Sequence, residues 1–225
     1  MATPSTPDGT GTVHAAIAMR AGTLALRDAV AEDADAYVTY WHDSGDRIIN
    51  LLGINKGGLG TAEDSRKRFL GMMRVPGTTQ RSVVFTVTLN GARIGYTNLN
   101  MNGPDDNYPH FHTYLHTHRP LIRAAVAGSG RRGGAKDGYG IAAVVLGPLF
   151  AMHFSLFPIR RLIIQTRPAA HAINRALDLY LPPAETTHID RPNGLALPGA
   201  FHMRYVHRED AARMLERAHA LAQAG

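Results

Sequence analysis

The chain has 225 residues, of which 44% are hydrophobic and 19% charged, and its formal net charge at pH 7 is +6. This composition supplies material for a sizeable core and excludes a globally disordered chain. The absence of cysteine excludes disulfides, thiolate metal sites and a cysteine nucleophile.

We expect the first 20 residues to form a flexible tail, because they begin with a polar stretch rich in Pro, Thr and Gly. The tail lacks the basic region followed by an apolar core that a signal peptide requires. The longest apolar run, 141–157, is interrupted by Pro148 and by polar side chains, so it does not predict a membrane span. We therefore expect a cytoplasmic protein without a membrane partner, with one domain over 21–207 and a packed helix over 208–225.

The first half of the chain predicts strands and helices in alternation. Residues 23–29 alternate like a strand and lead into a helix that begins with acidic residues. A capping-box pattern at Thr61 predicts a second helix. Residues 82–89 form a strong strand pattern, and Asn90-Gly91 is the preferred two-residue hairpin turn, so 92–99 is expected to return as its antiparallel partner.

A stripe of histidines follows the hairpin, at even-numbered positions of residues 110–118. If this stretch is a strand, one face carries His110, His112, Tyr114, His116 and His118. Histidine titrates near neutral pH and is the commonest metal ligand and general base. Any single histidine here is adequately explained as a partly exposed strand residue, but four on one face favour a functional cleft.

A metal site is the competing interpretation of this stripe. His110 and His112 place two imidazoles on one strand face, and His116, Asp105 or Asp106 would supply a further ligand. Such a site would indicate a His-rich metal-dependent enzyme. The helices predicted downstream argue against the compact β-barrel that this would need, so the metal hypothesis ranks second.

A loop rich in glycine and arginine connects the stripe to a long apolar helix over 141–156. The loop carries Arg119, Arg123, Arg131, Arg132 and Lys136 and ends at Gly138-Tyr139-Gly140. Glycines let backbone N–H groups approach phosphate oxygens, and a helix N-terminus adds partial positive charge. The loop lacks the interleaved aromatic residues of a nucleic-acid platform, so it favours a small phosphorylated ligand. A solvated basic loop is the alternative.

The remaining elements are a core strand at 161–165, a helix at 169–181 and two weaker strands at 186–189 and 200–206. The last helix is amphipathic. Together these elements predict one α/β (α+β) domain whose N-terminal half is mostly antiparallel.

This order of elements, from residue 23 to residue 206, resembles the GNAT superfamily of acyl-CoA-dependent N-acyltransferases. The opening Leu24-x-Leu26-Arg27-x-Ala29-x-x-Glu32-Asp33-Ala34 looks like the first strand and helix of these enzymes. Gly138-Tyr139-Gly140-Ile141-Ala142 looks like the end of their acyl-CoA pyrophosphate loop. Residues 157–165, followed by Ala172-Ile173, are similar to their next strand and helix. The resemblance implies a mixed, mostly antiparallel central sheet flanked by helices, with an extra C-terminal helix.

The resemblance also implies roles for individual residues. The histidine strand would line the cleft, with His112 or His116 as the base and Tyr114 as a donor or orienter. The co-substrate, acetyl-CoA or another acyl-CoA, would be held by Arg132, Lys136, Gly138, Tyr139, Gly140, Ile141 and Ala142. Many members carry a tyrosine in the late helix that protonates the leaving thiolate; Ala176 occupies that position here, and Tyr180 lies one turn later.

We therefore expect acetyl transfer from acetyl-CoA to the amine of a small-molecule acceptor, by direct attack in a ternary complex. Direct attack needs no enzyme nucleophile, which agrees with the missing cysteine. A non-catalytic acyl-CoA-binding module is an alternative from another class, because Ala135 replaces the Gln or Arg with which the family's loop begins. Nucleic acid is not expected as a partner, and a homodimer is compatible with this function.

Overall fold

The computed structural model describes residues 11–19, 22–114, 139–192 and 195–223. Its strands are β1 (Val13–Met19), β2 (Gly22–Asp28), β3 (Ser82–Leu89), β4 (Ala92–Met101), β5 (Asn107–Thr113), β6 (Arg161–Thr166), β7 (Glu185–Ile189) and β8 (Gly199–His207). Its helices are α1 (Ala34–Asp43), α2 (Asp46–Leu52), α3 (Ala62–Met72), α4 (Tyr139–Leu156), α5 (His171–Leu177) and α6 (Ala211–Gln223). Strands β1 to β5 form one antiparallel sheet in sequence order, and β6, β8 and β7 form a second antiparallel sheet in that order. The predicted mixed fold with a mostly antiparallel first half is confirmed.

The β3–β4 hairpin has the predicted turn. Asn90 has φ of 50° and Gly91 has φ of 80°, and a type I′ turn requires positive φ at both central residues. Leu89 and Ala92 pair directly across the turn. The predicted capping box at the start of α3 is also present, since the Thr61 side chain accepts a hydrogen bond from the Asp64 backbone N–H.

The first sheet separates two apolar clusters. Val83 and Phe85 face one side, where they pack with α4 and α6, and Val84 faces the other side, where it packs with α1 and α3. This alternation follows the two-residue period of a strand. Helix α4 is buried along most of its length, which explains why its sequence is apolar on every face.

Strand β1 corrects the predicted tail, because residues 13–19 belong to the sheet. The sequence of this segment is compatible with either a strand or a helix, and pairing with β2 selects the strand. Ile17 is buried in the core, and His14 Nε2 lies 2.8 Å from Asp28 Oδ1. The late helix is also shorter than predicted, since α5 ends at Leu177 rather than at residue 181.

A buried ion pair connects β2, β3 and the start of α1. Arg27 donates to both carboxylate oxygens of Asp33, at 2.7 and 2.8 Å, and the same carboxylate accepts from the Thr86 hydroxyl at 2.6 Å and from the Val30 N–H at 3.0 Å. Burial alone would raise the pKa of Asp33, but these hydrogen bonds outweigh it and lower the pKa. The charged carboxylate therefore fixes how α1 leaves the sheet.

We expect Asp33→Asn to lower the free energy of unfolding by about 3 to 5 kcal/mol, because Arg27 would stay buried without a counter-charge. Urea denaturation measures the change. Asp35→Asn is the matched control: Asp35 is an exposed partner of Arg66, and its substitution should cost less than about 1 kcal/mol. Equal losses in the two variants would contradict the role assigned to Asp33.

His153 gives the fold a second testable property. It is buried in α4 beside Phe85, and neither ring nitrogen has a hydrogen-bond partner among the described residues. Burial lowers its pKa to about 3 from 6.5. Below pH 6.5 the unfolded chain therefore binds a proton that the folded chain does not, and stability is lost as the pH falls towards 3.

We expect His153→Met to reduce this acid sensitivity. When the pH falls from 7 to 4.5, the unfolding free energy of the variant should decrease by about 2 to 3 kcal/mol less than that of the wild type. Urea midpoints at the two pH values test this, with His219→Met on the exposed face of α6 as the control that should keep the wild-type dependence. If the acid sensitivity of stability decreased in both variants, or in neither, the result would be inconsistent with a neutral buried His153.

Candidate functional site

A cavity of about 760 Å³ lies between the two sheets. Strands β5 and β6 are joined near their N-terminal ends, where Asn107 Nδ2 donates to the Arg161 carbonyl at 3.0 Å and the Arg160 N–H donates to the Pro104 carbonyl at 2.7 Å. Beyond this junction the two strands do not pair. Residues 109–113 and 164–167 line the cavity from its two sides, so the cavity occupies the gap where the strands separate.

Helices on both sides of the gap contribute much of the remaining lining. Helices α4 and α5 contribute apolar groups such as Ala142, Leu146 and Ile173. Helices α1 and α3 contribute aromatic side chains and Arg68. None of the described residues that line the cavity is aspartate or glutamate.

Six rings pack together at this side of the first sheet, and we call them the aromatic wall: Tyr37, Tyr40, Trp41, Tyr96, His112 and Tyr114. His112 stacks on Tyr96, with centroids 4.9 Å apart and an interplanar angle of 17°. Its Nδ1 lies 3.1 Å from the Tyr40 hydroxyl, and its ring meets Trp41 at 5.1 Å. Burial, with a smaller contribution from the neighbouring His110, lowers the pKa of His112 to about 3. The imidazole is therefore neutral at physiological pH.

His110 belongs to a polar chain on the same face of the sheet. Asn100 Nδ2 donates to His110 Nε2 at 3.3 Å, and Asn100 Oδ1 accepts from the Ser82 hydroxyl at 2.6 Å. Burial lowers the pKa of His110 to about 4. All three side chains line the cavity, so this chain gives the cavity fixed polar groups without any net charge.

Tyr114 lies on the predicted face but behind the cavity surface. It is buried against Tyr40 and Tyr96, with ring centroids 5.6 and 6.0 Å away, and it is not among the residues that line the cavity. Burial raises its pKa. Phe111 points to the opposite side and packs on the other cluster. The predicted alternation is thus confirmed for residues 110–114.

The backbone of β5 alternates in the same way. The Tyr114 N–H donates to the Ile94 carbonyl at 2.7 Å, and Tyr96 pairs with His112 two residues earlier. In an antiparallel pair, every second residue directs its N–H and carbonyl to the partner strand. The N–H groups of Phe111 and Thr113 therefore point away from β4, into the gap. Pro109 occupies an equivalent position on β5, so its missing N–H removes no hydrogen bond to β4.

The structure places Tyr180 away from this gap. It is buried in the core beyond the end of α5, and its hydroxyl donates to the Ala143 carbonyl of α4. Burial raises its pKa. Among the residues predicted to hold the co-substrate, Ala142 lines the cavity, Ile141 is buried in the core, and Tyr139 and Gly140 form the first turn of α4.

Several predicted residues lie outside the described part of the chain: His116, His118, Arg132, Lys136 and Gly138. Within the described part, no three His, Cys, Asp or Glu side chains are grouped so that they could hold a metal ion. Asp105, a suggested metal ligand, instead accepts a hydrogen bond from Arg160 Nε at 3.1 Å. None of the described helices is long and apolar enough to cross a membrane.

Three rings that contact His112 were not predicted to be site residues: Tyr40, Trp41 and Tyr96. Tyr40 and Trp41 follow Tyr37 at helical spacing, which predicts a shared face of α1 but not what that face contacts. Tyr96 lies directly opposite His112. Only the register between β4 and β5 brings these two rings together, and the connection between the strands carries no pattern that sets it.

No family model matches this sequence, and no curated protein matches it. Solved structures do match. RimJ of Mycobacterium smegmatis, in complex with a CoA disulfide, has a TM-score of 0.61 at 17% identity, covering 92% of this chain and 93% of that one. RimL, a ribosomal-protein alpha-N-acetyltransferase in complex with coenzyme A, has a TM-score of 0.59 at 14% identity, covering 87% and 98%. A GNAT-family acetyltransferase from Bacillus anthracis has a TM-score of 0.56 at 16% identity, covering 87% and 99%. The chain therefore has the fold of the GNAT acetyltransferases.

The lowered pKa of His112 is directly measurable. In protein labelled with ¹⁵N-histidine, we expect the His112 ring nitrogens to keep the shifts of neutral imidazole from pH 8 to pH 5, because burial opposes the charged form. The His112→Gln variant assigns the signals. The same protein unfolded in urea is the reference, since its histidines should titrate near about 6.5. Protonation of His112 above pH 5 would contradict the burial argument.

Proposed function

We propose that this chain is an acyl-CoA-dependent N-acyltransferase, which transfers acetyl from acetyl-CoA to the amine of a small-molecule acceptor. The observation that carries the proposal is the gap between β5 and β6, into which the Phe111 and Thr113 N–H groups point. Hydrogen-bond donors fixed on a strand can hold a thioester carbonyl while negative charge develops on its oxygen.

The gap also suits the part of acetyl-CoA between the thioester and the pyrophosphate. This part is an extended arm that contains amides, and it can hydrogen-bond to the edge of β5 that faces away from β4 and lie against the apolar groups of Ala142 and Leu146. Helix α4 begins at Tyr139, so its N-terminus offers backbone donors to the pyrophosphate. Gly138 and Gly140, with charge from Arg132 and Lys136, remain our predicted pyrophosphate site. RimJ and RimL, which share the fold, were both solved with coenzyme A groups.

The reaction is a direct displacement. The acceptor nitrogen attacks the thioester carbonyl carbon, a C–N bond forms, and the carbonyl oxygen carries negative charge near the Phe111 and Thr113 N–H groups. The C–S bond then breaks, and coenzyme A leaves as a thiolate that takes up one proton. An alkyl thiol has a pKa near that of cysteine, about 8.5, so water can supply this proton and Tyr180 is not required.

His112 is our proposed proton acceptor. The attacking nitrogen becomes strongly acidic as it bonds to the carbonyl carbon, so a weakly basic imidazole is able to accept its proton. The lowered pKa keeps this imidazole free of a proton before the attack, and Tyr40 and Tyr96 hold the ring in place. His116 is the alternative base on the same predicted face.

Acetyl-CoA binding tests the gap. We expect Thr113→Pro to weaken acetyl-CoA binding about tenfold, because it removes one donor to the ligand while every β4 hydrogen bond is kept. Isothermal titration calorimetry measures the dissociation constant. Thr113→Val keeps the backbone N–H with a side chain of similar shape and should bind like the wild type. Unchanged binding in a folded Thr113→Pro variant would contradict the assigned role of this edge.

Mass spectrometry of the protein incubated with acetyl-CoA and a mixture of primary amines tests the transfer itself. We expect acetylated amine and free CoA thiol in equal amounts. Binding of acetyl-CoA without any acetylated product would instead support the non-catalytic binding module.

A further inference from the structure

We propose that the acceptor carries an oxyanion, a carboxylate or a phosphate, beside an apolar group, and that Arg68 recognises this oxyanion. That this ligand is the acceptor of the acyl group rests on the proposed function. The binding preference itself is a property of the cavity wall formed by α1 and α3, opposite the apolar lining of α4 and α5.

Arg68 is a cation at the cavity without a carboxylate partner. It projects from α3, and its Nη2 donates weakly to the Leu59 carbonyl at 3.4 Å. Its Nη1 is buried and has no hydrogen-bond partner among the described residues. It forms no ion pair with any described acidic side chain. A buried donor left without an acceptor is costly, so an oxyanion from a ligand would relieve that cost.

The acid nearest along the helix does not neutralise Arg68. Asp64 lies one turn earlier on α3, where its carboxylate accepts from the Thr61 N–H at 2.9 Å and from the Thr61 hydroxyl at 2.7 Å. The pKa of Asp64 is lowered chiefly by these hydrogen bonds, and Arg68 contributes least among the causes. The charge of Arg68 therefore remains available to the cavity.

Trp41 supplies a second donor beside Arg68. Its Nε1 is buried without a hydrogen-bond partner among the described residues, and its ring lines the cavity. The Tyr37 hydroxyl neighbours both groups: burial raises its pKa, whereas the Arg68 charge and contacts to Arg68 and Trp41 lower it. This wall thus presents a guanidinium and an indole N–H together, which is a donor pair suited to one oxyanion.

Arg167, another arginine that lines the cavity, serves a different purpose. Its guanidinium donates to the backbone carbonyls of Gly53, Leu197 and Ala200 and stacks on the Phe201 ring, with Cζ 4.1 Å from the ring centroid. It therefore holds the α2 end and the β8 start together. Arg68 has no comparable set of backbone acceptors, which is why we assign recognition to Arg68.

The surroundings of Arg68 define the rest of the acceptor. Ile48, Leu52 and Met72 line the same side of the cavity and favour an apolar group next to the oxyanion. A polyamine is disfavoured, because none of the described lining residues is an acid that could pair with its charges. We therefore expect an acceptor with one amine, one oxyanion and an apolar body.

Trp41 is the only tryptophan of the chain, so its fluorescence reports on this wall without any label. The probes are 3-phenylpropanoate, 3-phenylpropylphosphonate, 3-phenylpropanamide and 3-phenylpropylamine, titrated into the 225-residue chain saturated with CoA. We expect the carboxylate or the phosphonate to bind at least about tenfold more tightly than the amide, since hydrogen bonds to charged groups are the stronger ones. The tighter of the two identifies the oxyanion.

Two variants assign this preference to Arg68. Arg68→Met should abolish it, and Arg68→Lys should restore part of it. Lys67→Met, at the exposed neighbouring position paired with Glu63, removes the same charge and should keep the full preference. Equal binding of all four probes, tighter binding of the amine, no binding of any probe, or a preference that survives Arg68→Met would each overturn the proposal.

A different result would refute the proposed function: no acetyl-CoA binding by the same protein in calorimetry. Acetyl-CoA binding with no anion preference would leave that function intact and refute only the role of Arg68.

Discussion

The site depends on one constraint: among the strands that the structure describes, β5 is paired along only one edge. Even-numbered residues of β5 direct their backbone groups to β4 and their side chains to the aromatic wall. Odd-numbered residues do the reverse: Phe111 packs on the main core, while its N–H points into the gap. Both alternations have a period of two. A single strand therefore brings to the same cavity the imidazole of His112 and the Phe111 and Thr113 N–H groups that point away from β4.

The electrostatics of the cavity follow from how that strand is buried. Rings enclose His112, so its protonated form is poorly solvated and the pKa falls. Asp33, the one buried acid among the described residues, is held by Arg27 and does not line the cavity. None of the described lining residues is an acid, and Arg68 and Arg167 are both cations, so the field in the cavity is positive. A cavity of this kind selects its ligand by charge as well as by shape.

The fold was predictable where a pattern is local. The Asn90-Gly91 turn, the Thr61 cap and the alternation of residues 110–114 each depend on neighbours in sequence, and the structure confirms them. The pairing of Tyr96 with His112 was not predictable, because it depends on the register across residues 102–106. The position of Arg68 at the cavity was not predictable for a similar reason: a single arginine on a polar helix resembles any solvated side chain until α1 is packed against it. Long-range packing therefore separates the predicted parts of the site from the missed ones.

Tyr180 shows how the same packing redirects a residue that the family resemblance implicates. Pro148 has no N–H, so it cannot donate to the Val144 carbonyl one turn before it, and its ring crowds that turn of α4. The Tyr180 hydroxyl donates to the adjacent Ala143 carbonyl, in a core where an unpaired polar group would be costly. The hydroxyl therefore finds its acceptor in the turn of α4 that precedes the proline. This contact gives the Tyr180 hydroxyl a structural partner in the core, and our proposed mechanism therefore takes the proton for the leaving thiolate from solvent.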